Sequence, residues 1–305
     1  PLNMHAPIIL AAPSIDPSDS GHAPATLWQH LARAPVMLKI SYIIVALLVL
    51  AVVAAPVIAP FDPNEVDLSL KLQGLSSTHL LGTDHLGRDT LSRLIYGTRV
   101  SLGSTAAIML LVLSAGITLG GLAGFLGGKV DSIIMRTCEV FMTFPTFVLA
   151  MFFVGALGVG MTNVIIAIAL SHWAWYARIV RSIVLSMSQR DYILAARAAG
   201  ASKLRIFIEH LLPGVVSQIV VLATLDIGHM MLHVSGLSFL GLGISPPTAE
   251  WGVMLNDARN FIYTSPMLIA MPGLMLFVTV MAFNRIGDAL RDRLDPTLVA
   301  DDHGH

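Results

Sequence analysis

Hydrophobic residues are concentrated in six long segments of the chain, and polar stretches separate these segments from one another. The segments are residues 38–59, 100–124, 140–159, 162–181, 214–238 and 266–288. Each has about 20 residues or slightly more, enough for a helix rising ~1.5 Å per residue to cross a ~30 Å hydrocarbon layer. None alternates polar and apolar residues as a membrane β-barrel strand does. The pattern predicts an all-α membrane protein with six transmembrane helices in one bundle, a single domain over residues 38–288.

The polar segments predict two tails and three long connections. We expect flexible tails at residues 1–37 and 289–305, because neither shows a lasting periodicity. The two long connections on one side of the membrane are residues 60–99 and 239–265. The largest connection on the other side is residues 182–212. Four apolar residues near the end of the first connection have helical spacing and predict an interfacial helix ahead of the second span: Leu86, Leu91, Leu94 and Ile95.

Composition and charge agree with a membrane protein and indicate its orientation. Of the 305 residues, 55% are hydrophobic and only 12% charged, whereas soluble domains have about 25% charged residues. The net charge of −1 gives no reason to expect nucleic acid as a partner. Cys138 is the single cysteine, which excludes an intrachain disulfide and a cysteine-based metal site. Thirteen of the 18 lysines and arginines fall on the side of both termini, which predicts that both termini are cytoplasmic.

Glycine recurs at every fourth position in and after the second span, at Gly116, Gly120, Gly124 and Gly128. This spacing places small residues on one helical face, where a neighbouring helix can approach closely. A nucleotide-binding P-loop is excluded, because Lys129 is followed by Val130 rather than by serine or threonine. We therefore expect the glycines to serve helix packing and ATP to bind elsewhere than on this chain.

The fifth span carries polar residues that a membrane helix normally lacks. Asp226, His229, Met230 and His233 have the spacing i, i+3, i+4 and i+7, so they share one helical face that can line one cavity. An ionised aspartate at this depth costs about 2.5–3.5 kcal/mol and should face water or a partner. Imidazole and carboxylate ligands suit nickel, zinc, copper or cobalt. The segment HMMLH lacks the glutamate of the zinc-protease motif.

Other interpretations of these residues remain open at the sequence level. Asp226 could pair with an arginine of a partner subunit or bond His229 across one turn, and Met230 could simply fill space. His172, in the fourth span, is either a further residue of the same path or part of an interfacial aromatic belt. That belt would consist of its neighbours Trp173, Trp175 and Tyr176.

The cytoplasmic connection contains an alanine-rich stretch, then Gly200, then an apolar stripe that reaches Pro213. Alanine favours helix and glycine interrupts it, so two short helices should meet at Gly200. Over about residues 191–213, an amphipathic surface helix and a docking loop for another subunit are both compatible with the pattern.

This connection resembles a loop of the permeases of binding-protein-dependent ABC importers. The residues that carry the resemblance are Ala195, Ala196, Gly200, Leu212 and Pro213, whereas Leu194 and His210 stand where the family usually has glutamate and isoleucine. The stretches LGTDHLGRDTLSRLIYGTRVSL, SFLGLGISPPTAEWG and GDALRDRLDP are similar to the dipeptide, oligopeptide and nickel branch of the family. SHWAWYARIVRS, TLDIGHMMLHV and AEWGVMLNDARN are more similar to nickel permeases, specifically to the second of their two membrane subunits.

The resemblance implies a function and a set of partners. It implies a type I importer bundle in the bacterial inner membrane, paired with a second permease subunit as a heterodimer. Two ATPase subunits would bind ATP and grip the 191–213 loop as a coupling helix, and an extracytoplasmic binding protein would dock on residues 60–99 and 239–265. The cargo would be nickel, free or chelated, along a path formed by Asp226, His229, His233, Met230 and His172. The chain itself would have no catalytic residue and no cofactor.

Three alternatives remain. The cargo could be a dipeptide, an oligopeptide or another metal–metallophore complex, although a peptide path has no need of two imidazoles. An intramembrane metalloenzyme would require a general base, and none of the four glutamates lies in the middle of a predicted span. A passive channel or a signalling partner would not require the coupling loop.

Overall fold

The computed structural model describes residues 34–294, and over this range the chain is a bundle of helices without any strand. Residues 1–33 and 295–305, which make up most of the two predicted tails, lie outside the described residues. The helices are α1 Val36–Ile58, α2 Thr90–Leu126, α3 Gly128–Met142, α4 Thr146–Leu157, α5 Met161–Ser188, α6 Asp191–Ala198, α7 Lys203–Ile206, α8 Leu212–Phe239, α9 Trp251–Ala258 and α10 Met267–Leu294.

Five helical stretches are long and apolar enough to cross a membrane, and a sixth span is broken. The five are α1, α2, α5, the run Lys203–Phe239 that joins α7 to α8 through a π-helical turn, and Met267–Asp292 of α10. Helices α3 and α4 meet at 89° and qualify as a span only together. The all-α membrane fold is confirmed.

The third predicted span, residues 140–159, is not one continuous helix. Helix α3 already begins at Gly128 and ends at Met142, and α4 begins at Thr146. Pro145 precedes α4, has no N–H to donate and disfavours the helical conformation of the residue before it. The third predicted span is therefore present as the broken pair α3–α4, with Pro145 at its break.

The second span has no separate interfacial helix ahead of it. Helix α2 begins at Thr90 and runs for 37 residues without interruption, so Leu91, Leu94 and Ile95 lie in its first two turns. Asp89 caps this helix, since its Oδ2 accepts a hydrogen bond from the Ser92 backbone N–H at 2.7 Å. Because the cap fixes the start of α2, the apolar residues after it continue into the span.

The bundle has two ends that differ in structure. The end formed by residues 59–89 and 240–265 contains α9, and we call it the α9 end. Here the buried Arg88 guanidinium bonds Asp84 Oδ2 at 2.6 Å through Nε and Asp257 Oδ2 at 3.1 Å through Nη2. These charge-assisted bonds join the start of α2 to α9. The opposite end contains α6 and α7, and we call it the α6 end.

A buried glutamate also fixes α9. Glu250 has no exposed surface, and its carboxylate accepts hydrogen bonds from the Ser101 hydroxyl and the Val253 backbone N–H, both at 3.0 Å. The second bond caps α9, and the first connects it to α2. Burial raises the pKa of the Glu250 carboxyl above its usual value.

Helices α2 and α5 lie against each other along the glycine positions of α2. A Cβ atom on Gly116 would lie 2.5 Å from Tyr176 Cβ, and one on Gly124 would lie 2.9 Å from Val184 Cβ. A Cβ on Gly120 would overlap the carbonyl oxygen of Ala177. Backbones this close require glycine.

Gly128 does not share this contact. It is the first residue of α3, has φ +56°, and has open space where a Cβ would project. Helix α2 ends at Leu126, so only the first three glycines of the repeat take part in its packing against α5, and Gly128 lies beyond the end of that helix.

Candidate functional site

A buried carboxylate joins two spans at the centre of the bundle. Asp226, on α8, is 7% exposed, and its Oδ2 accepts a hydrogen bond from the Tyr176 hydroxyl at 3.1 Å. The same oxygen lies 3.0 Å from His172 Nε2. His172 and Tyr176 are four residues apart on α5 and therefore lie on one face of that helix. Two polar contacts thus compensate for the loss of solvation of the carboxylate.

The other oxygen of this carboxylate faces a more open side. His229 is one turn further along α8, with Nδ1 3.5 Å from Asp226 Oδ1. Its side chain is 74% exposed on this chain, whereas that of Asp226 is 10% exposed. The Asp226–His229 pair therefore extends from the interior of the bundle to the surface of this chain.

The four polar-stripe residues of α8 do not face one cavity within this chain. Met230 is fully buried in the main hydrophobic core, where Tyr176 also lies. His233 is half-buried and stacks on Phe147 of α4, with ring centroids 5.9 Å apart. Residues at i, i+3, i+4 and i+7 occupy a broad face of a helix, so different parts of that face can contact different neighbours. Here Met230 faces the core, His233 faces α4 and His229 is exposed.

Two imidazole nitrogens in this cluster have no partner. His172 Nδ1 and His233 Nδ1 are both buried and accept or donate no hydrogen bond among the described residues. Buried polar atoms normally have a partner, so these two nitrogens are exceptions in the interior of the bundle. Over residues 34–294, however, no three His, Cys, Asp or Glu side chains are arranged to hold a metal ion together.

The cluster lies well inside the bundle. Asp226 is 13 residues from the α9-end terminus of α8 at Phe239, which is about 20 Å, and His233 is about 9 Å from it. At the other end the helix continues past Pro213 to Lys203, so Pro213 does not mark its end.

Tyr176 belongs to this cluster, although it is not among the candidate path residues predicted from the sequence. The sequence pattern predicts a possible interfacial aromatic belt at this position, but Tyr176 is fully buried and its hydroxyl donates a hydrogen bond to Asp226. The spacing of four residues between His172 and Tyr176 indicates that both lie on one face of α5. The sequence does not show that this face is turned toward α8.

The loop at the α6 end consists of two short helices joined at a glycine. Helix α6 ends at Ala198, Gly200 has φ +82°, and α7 begins at Lys203 with the Ser202 side chain as its cap. This φ favours glycine. Ala196 accepts the Ala201 N–H at 3.1 Å, which closes the turn.

This loop buries one face and exposes another. Ile193 and Ile206 are buried in the main core. Apolar side chains on the other face are exposed, namely Tyr192, Leu194, Leu204 and Ile208. Ala195 is exposed, Leu212 is half-buried, and Pro213 lies exposed where α8 begins. The loop is thus fixed to the bundle and presents an uncovered apolar surface.

A bundle of helices long and apolar enough to cross a membrane, with a polar cluster between two of them and an exposed apolar loop at one end, is the architecture of an integral membrane protein. Residues 116–299 match the family model described as binding-protein-dependent transport system inner membrane component, and the chain belongs to this family. It is a multi-pass permease component of such a system.

Individual relatives share most of the chain. The nickel transport system permease protein of Escherichia coli (strain K12) is 58% identical over 267 residues, which are 88% of this chain and 96% of that protein. The metal-staphylopine import system permease protein of Staphylococcus aureus (strain Mu50) is 40% identical over 85% of this chain and 90% of its own length. A glutathione transport system permease protein of Pectobacterium atrosepticum is 42% identical over 89% of this chain and 90% of its length.

Proposed function

We propose that this chain is a transmembrane subunit of an ATP-driven, binding-protein-dependent importer that carries nickel, free or chelated, into the bacterial cytoplasm. The observation that carries the proposal is the 58% identity to a nickel transport permease over 96% of that protein's length.

The polar cluster supports a metal cargo. Asp226, His172, His229 and His233 offer carboxylate oxygen and imidazole nitrogen, which suit nickel and its neighbours in the first transition row. A transport path must release its ion, so a weak and incomplete set of ligands is better suited than a closed site. The lack of a preformed site of three such side chains in the described range agrees with a transient contact.

The loop at the α6 end supports coupling to a motor subunit. Its exposed apolar face, fixed to the bundle through Ile193 and Ile206, can transmit a push from a cytosolic protein to α8. We propose that Ala195, Ala196, Gly200, Leu212 and Pro213 form the contact with one of two ATPase subunits, which bind the ATP. The chain itself catalyses no reaction and carries no cofactor.

The remaining partners and the orientation follow from the same proposal. A second permease subunit would cover the exposed His229 and complete the passage as a heterodimer. Both termini and the α6 end would be cytoplasmic, where Arg190, Arg197 and Lys203 are exposed. The binding protein would dock at the α9 end, on residues 60–99 and 239–265.

A peptide or another metal–metallophore complex is the second candidate cargo. It is favoured by the 40–42% identity to metal-staphylopine and glutathione permeases. In such a path the imidazoles would contact a chelated metal or the carboxylate of a peptide.

Uptake by the reconstituted complex separates these cargoes. The complex, assembled in proteoliposomes with its second permease, ATPases and binding protein, is given ATP and radiolabelled nickel. We expect saturable nickel uptake that an excess of zinc, cobalt or dipeptide inhibits weakly. Uptake of the dipeptide, with no uptake of nickel in either free or chelated form, would refute the proposal.

A further inference from the structure

The broken span leaves backbone carbonyl groups without hydrogen bonds. Pro145 lacks an N–H, so the carbonyl of Phe141, four residues before it, has no helical donor. No donor among the described residues contacts the carbonyl oxygens of residues 141–144. Four consecutive acceptors therefore lie free where α3 and α4 meet at 89°.

The break lies at the depth of the polar cluster. On its α3 side, the Phe141 ring contacts Trp173 edge-on at 5.5 Å, and Trp173 is about 18 Å from the start of α5. On its α4 side, Phe147 stacks on His233, about 9 Å from the end of α8. The free carbonyls are thus about 9–18 Å below the α9 end, the interval that also contains His229.

Lipid cannot cover this backbone. Unpaired carbonyl groups in hydrocarbon cost several kcal/mol each, and broken helices persist at membrane depth only inside protein or beside water. Thr143, Phe144 and Pro145 are nevertheless exposed on this chain. A water-filled passage or a partner subunit must therefore lie against them.

The neighbouring side chain favours the passage. His233 stacks on Phe147, immediately after the break, and its Nδ1 is buried without a partner. Carbonyl groups at the C-terminal end of a half-helix carry partial negative charge and attract cations. The carbonyl oxygens at the break form a surface that suits a hydrated divalent cation, and the half-buried His233 ring lies beside it.

We propose that residues 141–144 line the translocation passage and contact the hydration shell of a divalent transition-metal cation through their carbonyl oxygens. This inference rests on the proposed function. It adds a backbone site on the broken span α3–α4 to the side chains of α5 and α8. The polar side chains of α8 would then lie beside the carbonyls of the α3–α4 break along the passage. The contacts are weak, as a passage requires.

Cysteine labelling tests whether water reaches the break. Thr143→Cys and Phe152→Cys are made in a Cys138→Ala background and treated with a charged thiol reagent in the assembled complex. Phe152 is the control, because it is 68% exposed on α4, within the same broken span. We expect Thr143→Cys to react and Ni²⁺ to slow its reaction, while Phe152→Cys stays inert.

A second variant tests the carbonyl groups in transport. Pro145→Ala restores an N–H for the Phe141 carbonyl and should lower nickel uptake about tenfold, the effect of losing one hydrogen-bonded contact in the limiting step. Pro272→Ala, which removes a proline from inside α10, is the matched control and should transport as the unmodified chain does.

The outcomes distinguish this inference from the proposed function. Inert Thr143→Cys, or Pro145→Ala that transports nickel normally, would overturn the inference while leaving nickel transport intact. If the unmodified complex transports no nickel, the proposed function fails, and the cation contact at the break fails with it. If Pro145→Ala does not assemble, the labelling result alone decides.

Discussion

Replacing Gly116 with alanine should disturb both the packing of the bundle and the polar cluster. The new Cβ would lie 2.5 Å from Tyr176 Cβ, whereas ordinary contacts begin at 3.4 Å, so α2 and α5 must separate by roughly 0.9 Å. Overpacking of this kind costs about 1–3 kcal/mol. A shift of that size is also enough to break the 3.1 Å hydrogen bond between the Tyr176 hydroxyl and Asp226.

Thermal unfolding in detergent, followed by size-exclusion chromatography with fluorescence detection, measures the first effect. The expected cost corresponds to a midpoint roughly 2–12 °C lower. Gly103→Ala is the matched control on the same helix, since nothing lies within 4 Å of its added Cβ. It should be neutral or stabilising by about 0.5–1 kcal/mol. Equal midpoints for the two variants would refute the close approach of α2 and α5 at Gly116.

Three further changes test other contacts. Tyr176→Phe removes one donor to Asp226 and should raise the nickel concentration for half-maximal uptake about tenfold without loss of assembly; unchanged uptake kinetics would contradict a role of this bond in transport. Gly200→Val forces a β-branched residue to φ +82°, so ATP hydrolysis should no longer depend on transport; retained coupling would show that the loop tolerates distortion. Burial raises the pKa of Glu250, so the folded state holds its proton more tightly and stability falls as pH rises from about 4.5 through the folded pKa. Glu250→Gln should remove that slope in unfolding curves, and an unchanged slope would assign it to another group.

The spans could be predicted from sequence because lipid requires long apolar helices, but the break in the third span could not. Proline alone does not signal a break, since Pro56 and Pro272 lie inside continuous α1 and α10. Membrane helices tolerate proline where neighbours satisfy the freed carbonyl. Whether Pro145 bends a helix by 89° depends on tertiary contacts such as Phe147 on His233.

The candidate site was predictable in part for a similar reason. The periodicity of α8 identifies Asp226, His229 and His233 as neighbours on one helix. It does not give the rotation of α5, which brings His172 and Tyr176 onto the same carboxylate. Contacts between helices depend on how the two surfaces pack, and one helix alone does not contain that information.

Nickel uptake by a variant with both His229→Ala and His233→Ala tests the central claim most directly. The complex is reconstituted with its partner subunits, and assembly with the ATPases is checked by co-purification. The account predicts that the complex forms and hydrolyses ATP but no longer takes up nickel. Uptake at the rate of the unmodified complex would contradict it, because the passage would then not need the imidazoles of α8.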